Sequence, residues 1–377
     1  MADARVFLDA GGRAPVHPAA RQAYAAALAD GWADPRRLYT EARQARALLD
    51  AAREVLAEAL GARPDEVRLT PNHTAGLHAA VLSAGRARHR AGRRVVASAV
   101  ERAALLAAAS QLGGDVVFVG VDDAARVDLD AWRTAIGPDV AVAALQHANG
   151  EVGTLQPVDE AWEAAHGAGV PLLVDAGASV GHVALGVPWD LLAADPGDWG
   201  GPAGIGVVAV RTRVRTAQVG PEDADPWAPG GPSVPAAVGA AAALQAVLAE
   251  RADHDQRRRS LVDRIRATVP RTVPDVQVVG DPHDRLPHVV TFSCLYVDGE
   301  ALVTELDRRG FAVGSGSACA STELRPSHVL AAMGVLTHGN VRLALPTTVT
   351  EDDVDRFLAE LPDAVATVRR MIGAEGL

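Results

Sequence analysis

VAVAALQHANGEVGTLQPVDEAWEAAHGAGVPLLVDAG, residues 140–177, decides the fold class. It opens on an apolar run, VAVAALQHAN, and closes on a second, VPLLVDAG, with the helical pattern EAWEAAHGAG between them. Near-continuous apolar strands joined through a helix imply parallel neighbours covered on both faces. Working outward, RRVVASAV, DVVFVGVD and IGVVAVR read as further strands and LLAAASQLG as a helix. LTPNHTAGLHAAVLSAG reads as strand, turn and helix. The stretch from about Val234 to Val269 reads as one or two helices leading out of the sheet domain. After it come VVTFSCLYV, EALVTELDRRG, FAVGSGSAC, SHVLAAMG and VRLALP, a mixed order that predicts an α+β second domain. The last helix is expected to open on Thr350 and Asp353 as a capping box, and Pro362 to kink or divide it. The expected domains are 14–250, and 1–13 with 251–377.

The chain has 377 residues, 49% hydrophobic but only 4% aromatic, so its core must be alanine, valine and leucine. A net charge of −11 argues against a nucleic-acid groove as its main business, although a local basic patch can survive such an average. MADARVFLDA lacks the regions of a signal peptide. VPAAVGAAAALQAVLAE is interrupted by Gln245 and too short to span a bilayer. Two cysteines, Cys294 and Cys319, suit a reducing cytoplasm. There is no lysine: all 36 basic residues are arginine. Codon usage in a GC-rich genome accounts for such exchange on a surface. Arginine cannot be deprotonated to act as a nucleophile, so lysine-based covalent chemistry is closed to this chain.

Ligands of open α/β sheets gather outside the carboxyl ends of strands. Here those ends carry Thr70–Thr74, Gln146–Glu151, Asp175–Ser179 and Asp195–Asp198. His73 and His147 lie there without metal-site spacing, so hydrogen-bonding roles are expected. Cys319 sits in Gly314–Thr322, a loop of small residues able to move, whereas Cys294 reads as core. The run Arg257–Arg259 reads as a solvated helix face.

In this order, DAGGRAPVHP, QHANGEVGTLQPV, LLVDAGASVG, GSGSACAST with ELRPSHVL, and VRLAL resemble segments of the cysteine desulfurases, the NifS/IscS-like family of the class V aminotransferase fold. The resemblance covers nearly the whole chain. It implies the type I fold of pyridoxal-phosphate transferases: an α/β large domain with a mostly parallel seven-stranded sheet between helices, plus a smaller α+β domain. Carried over residue by residue, Asp175 matches the aspartate that holds the pyridine nitrogen and Asn149 the asparagine beside the ring oxygen. Thr74 matches a phosphate-binding threonine, and Ser233 loosely another phosphate hydroxyl. Arg342 matches the arginine that grips the substrate carboxylate. Cys319 matches the cysteine that accepts sulfur as a persulfide.

The departures are equally specific. Asp198 takes the place of the Schiff-base lysine, Gly197 of a histidine and Asp195 of a phosphate-binding serine. Arg102 replaces the histidine that stacks on the cofactor ring, Ala178 a glutamine, and Gly230 an arginine on the phosphate. Arg102 is expected to enter the old ring slot and pair with Asp175 or Asp198. No covalent cofactor is therefore expected, and pyridoxal phosphate enters by resemblance only. One reading is sulfur trafficking without desulfurase chemistry, in which Cys319 relays a persulfide or ligates an iron–sulfur cluster with a scaffold or acceptor protein, in cluster assembly or tRNA thiolation. Another is a pseudoenzyme that pairs with a lysine-bearing paralogue. A third is a cofactor-independent enzyme using the acidic cleft, and a fourth is ordinary desulfurase activity. A homodimer or heterodimer is expected, with no nucleic-acid and no membrane partner.

Overall fold

The computed structural model describes residues 5–316, 326–371 and 373. In chain order the elements are β1 Val6–Phe7, α1 Pro18–Asp30, α2 Thr40–Leu60, β2 Val67–Thr70, α3 His73–Ala87, β3 Arg94–Ser98, α4 Ala103–Gln111, β4 Val116–Val119, α5 Leu129–Ala135 and β5 Val140–Gln146. Then follow α6 Val158–Gly167, β6 Leu172–Asp175, β7 Leu191–Ala194, β8 Gly206–Val210, α7 Val234–Thr272, β9 Val276–Val279 and β10 Val289–Cys294. The chain continues through α8 Gly299–Arg308, β11 Phe311–Ala312, α9 His328–Ala332, β12 Asn340–Ala344 and α10 Glu351–Met371.

The quoted stretch forms β5, α6 and β6, and β5 pairs parallel with β6, placing Gln146 opposite Asp175. Seven strands form one sheet in the order β2-β8-β7-β6-β5-β3-β4. All neighbours are parallel except those of β8, which runs antiparallel to both β2 and β7. Alternate side chains divide between two apolar layers. Val96, Leu145, Val174 and Leu192 pack with α2, α6 and the first half of α7. Ala97, Val142, Leu173 and Leu191 pack with α3 and α4. Burial on both faces explains why these strands read as unbroken apolar runs.

A second core joins β10, β12, α8 and α10 with Leu261, Val262, Ile265 and Val269 of α7. Here β9, β10 and β12 make a three-stranded antiparallel sheet, and β1 pairs with β11. The stretch expected as one or two helices is thus one helix contributing to both cores. Of the two outcomes expected of Pro362, division does not occur: α10 runs unbroken through it. Val354, Phe357, Leu358, Leu361, Val365 and Val368 are buried along that helix, and each contributes roughly 1.5–3 kcal/mol, enough together to outweigh the roughly 3 kcal/mol cost of an interior proline. The capping box forms: the Asp353 amide donates to Thr350 Oγ1 at 3.2 Å, and the Thr350 amide to Asp353 Oδ2 at 3.0 Å. Among the described residues no helix is long and apolar enough to cross a membrane.

Candidate functional site

Chain order reverses between β3 and β5, so their carboxyl ends splay the loops that build the site. Val100, past the end of β3, offers its carbonyl to Gln146 Nε2 at 2.9 Å and Asn149 Nδ2 at 3.3 Å. Asn149 Oδ1 accepts the amides of Glu151 and Val152, both at 2.9 Å. Both ends of Asn149 are therefore engaged within the loops.

Asp175 ends β6 and is 2% exposed. Its Oδ1 accepts the Gly177 amide at 2.8 Å and lies 3.0 Å from His73 Nε2, while Oδ2 lies 3.0 Å from Arg102 Nε. Burial favours the neutral acid. The charges of His73 and Arg102, with hydrogen bonds from His73 and Gly177, outweigh it and hold the Asp175 carboxyl far below the usual carboxylate range. Burial likewise works against the Arg102 charge, but the negative charges of Asp175, Asp198, Asp195 and Glu101 raise its pKa. Of the two pairings the sequence allowed for Arg102, the one with Asp175 is formed. A side chain on Gly150 would start 3.7 Å from Arg102 Nη2 and 3.3 Å from Ala178 Cβ, which places the guanidinium end beside these two small residues.

Asp198 faces other partners. Its Oδ1 accepts the Gly12 amide at 2.6 Å, and its Oδ2 lies 3.2 Å from His182 Nε2. The Ala14 amide donates to the Gly197 carbonyl and the His17 amide to the Gly200 carbonyl, each at 2.8 Å. The N-terminal segment is thereby laced along the glycine-rich bend. Gly200 has φ of 80°, and a Cβ there would lie 2.9 Å from the Pro15 carbonyl oxygen, so only glycine suits this approach. Asp195 is half-buried and accepts the Gly197 amide at 3.0 Å. Burial, joined by the like charge of Asp198, raises its pKa against the pull of His73 and Arg102.

Behind Asp198 lies a polar cluster that sequence reasoning missed. His182 Nε2 contacts the Asp198 carbonyl at 3.2 Å, and His182 Nδ1 lies 3.2 Å from Arg258 Nη2. Arginine only donates, so His182 carries its proton on Nε2. His288 packs on the His182 ring at 3.9 Å between centroids. The spacing of His182, Asp198 and His288 would accommodate a metal ion, but the donor on Nδ1 and the proton on Nε2 leave His182 no lone pair to offer. Arg258 corrects the expectation of a solvated Arg257–Arg259 face: it is 2% exposed and pairs with Asp255 at 2.6 Å.

Glu101 was also missed. It is fully buried and takes the Gln146 amide at 2.9 Å. Burial pushes its carboxyl well above the usual range; the Gln146 amide opposes this and the Asp175 charge adds to it. His147 has its Nδ1 2.9 Å from Ser179 Oγ, and burial pushes its pKa down to about 4. Thr74 is exposed in the first turn of α3. Ser233 accepts the Ala236 amide at 3.3 Å as the N-cap of α7. Arg342 on β12 pairs with Asp9 at 2.8 Å, and its backbone bonds Gly314 in both directions, at 2.8 and 3.0 Å. Cys319 lies outside the described residues. Cys294 is buried on β10, where burial raises its thiol pKa to about 12.

A sheet of this order, with its polar cluster at the carboxyl edge, defines the type I fold of the pyridoxal-phosphate-dependent transferases. The aminotransferase class-V profile matches residues 6–357. A cysteine desulfurase of Cereibacter sphaeroides is 36% identical over 98% of this chain and 99% of its own length. One of Gluconacetobacter diazotrophicus is 33% identical over 97% and 94%. A solved NifS-like protein superposes with a TM-score of 0.89 at 22% identity, covering 96% of this chain and all of the other. The chain belongs to the cysteine desulfurase family of the class-V aminotransferases.

Proposed function

We propose that this chain is a desulfurase homologue that handles sulfur without covalent pyridoxal phosphate, acting in the cytoplasm as a persulfide relay through Cys319. The observation that carries this reading is the Arg102–Asp175 pair in a chain without lysine. Asp175 Oδ1 accepts the Gly177 amide beside His73, and Oδ2 lies 3.0 Å from the Arg102 guanidinium, so the charge that would hold a pyridinium is already matched by the chain's own cation. Asp198 stands where the family's lysine is expected, and its carboxylate ties down Gly12 instead. Unit charges about 5 Å apart at an effective dielectric near 20 repel by roughly 3 kcal/mol, so a negative charge on either Asp195 or Asp198 would oppose a bound phosphate. The residues present do not fit the cofactor, and no chemistry is assigned through it.

In the relay, the Cys319 thiolate attacks the outer sulfur of a donor persulfide. A new S–S bond forms on Cys319, and the donor cysteine leaves as its thiolate. Passage to an acceptor thiolate repeats the exchange and restores Cys319.

The visible spectrum tests the reading. Purified protein incubated with pyridoxal phosphate and desalted is expected to show no hydroxylamine-sensitive band near about 420 nm. Incubated with a persulfide-loaded donor, it is expected to gain one sulfur, and the Cys319→Ser variant none. A cofactor band together with sulfide release from free cysteine would reject the proposal.

A further inference from the structure

The charge of −11 is unevenly spread. Residues 86–94, RARHRAGRR, hold five arginines and a histidine, and residues 211–215, RTRVR, hold three arginines; neither stretch has a carboxylate. The first joins α3 to β3. The second follows β8, which runs against its neighbours. Residues 166–171, also without a carboxylate, join α6 to β6. All three stretches therefore lie at the amino edge of the parallel strands, opposite the edge that carries Arg102, Asp175 and Asp198.

Two adjoining hollows open there. One, of about 330 Å³, is lined by Arg63, Glu66, Trp162, Trp189, Arg211 and Arg213. The other, of about 450 Å³, is lined by Arg88, Arg90, His166, Asp190, Arg213 and Arg215. Arg213 belongs to both, so the two form one groove. The carboxylates in it are already matched: Glu66 to Arg211 at 3.1 Å and Asp190 to Arg213 at 2.7 Å. Among the described residues, Arg86, Arg88, Arg90, Arg93 and Arg215 make no ion pair. Rings line the same groove. Trp162 and His166 stack with centroids 4.2 Å apart and planes 13° apart; Trp189 is buried beneath the Arg211 guanidinium, 3.6 Å over its ring, so the exposed His166 and the half-buried Trp162 are the rings the groove presents.

We propose that this groove binds a single-stranded nucleic acid. Forked guanidinium groups suit phosphate oxygens, and aromatic faces along a cationic groove suit unpaired bases. An acidic polypeptide would satisfy the arginines but make no use of the exposed His166 ring stacked on Trp162. The net charge of the whole chain does not forbid this, because a polyanion responds to the local potential.

The test uses the whole chain and fluorescence anisotropy with labelled oligouridylate and oligothymidylate of about twelve nucleotides. Binding is expected to weaken by roughly fiftyfold or more between about 50 and 200 mM salt. Equal affinity for the two probes assigns recognition to phosphate and base; tighter oligouridylate binding adds the ribose hydroxyl. Arg88→Glu/Arg90→Glu/Arg215→Glu is expected to weaken binding by about tenfold or more and to flatten the salt slope. His166→Ala is expected to weaken it severalfold. Arg43→Glu/Arg46→Glu/Arg53→Glu on α2 changes the net charge equally and should leave affinity within about threefold. Circular dichroism verifies that each variant is folded. Absence of binding at about 50 mM salt, or equal loss in the α2 variant, overturns the proposal. Tighter groove-dependent binding of labelled polyglutamate overturns it in favour of an acidic protein partner.

Discussion

At the scale of single residues, the Arg102–Asp175 pair has a measurable worth. Removing one partner of a fully buried pair costs about 3–5 kcal/mol. The Arg102 side chain is 34% exposed, so solvent screens part of this, and Arg102→Ala should lower stability at pH 7 by about 1–3 kcal/mol in urea unfolding. Asp175 has a depressed folded pKa. Its contribution is full above the unfolded value, about 3.9, and is lost as pH falls through the folded value. The gap between Arg102→Ala and the parent should therefore narrow as pH drops below about 4. Glu101 has the opposite sign. Its folded pKa is raised, so ionising it destabilises the fold progressively as pH rises above the unfolded value of about 4.3. Glu101→Gln keeps an acceptor for the Gln146 amide and should gain stability relative to the parent as pH increases. Parallel denaturation curves between pH 5 and 9 check this; a constant difference counts against it. The Arg102 pairing was legible through the family resemblance, which sets Arg102 in the place of the ring-stacking histidine beside Asp175. Arg258 was not. Its neighbours in the run look solvated, and the group that meets it, His182, lies 76 residues away in sequence.

At the scale of elements, the strand–helix–strand unit was readable because burial on both faces leaves an unmistakable run of small and branched apolar residues. Ends were less readable. DVVFVGVD suggested a strand to Asp122, but β4 stops at Val119, and the next residues turn back so that the Asp122 amide meets the Arg126 carbonyl at 3.0 Å. The local penalty of Pro362 is visible in sequence, whereas the apolar surface that keeps α10 undivided is not. Two junctions carry predictions. Thr350→Ala removes the cap of α10 and should cost about 1 kcal/mol. Gly206→Ala should cost about 1–3 kcal/mol, because a Cβ there would sit 2.3 Å from the Asn72 carbonyl carbon, in backbone that cannot yield as a side chain would. Thermal unfolding of both variants distinguishes them; a Gly206→Ala protein as stable as the parent would show that β8 and α3 shift apart freely.

For the whole molecule, the absence of lysine becomes a chemical signature. Mixing the protein with pyridoxal phosphate and reducing with borohydride should attach the pyridoxyl group at the amino terminus alone, read by peptide mass spectrometry; an internal adduct would be inconsistent with the sequence. We propose that the chain divides into 14–250 and the remainder, joined through α7. Helix α7 has 39 residues and rises about 58 Å at 1.5 Å per residue. Leu244 and Val247 sit in one core, Leu261 and Ile265 in the other. A shared rod of that length acts as a spine: the two halves cannot swing independently without bending it. Cutting near its middle should therefore slacken both cores together, and intact protein should melt in a single cooperative step.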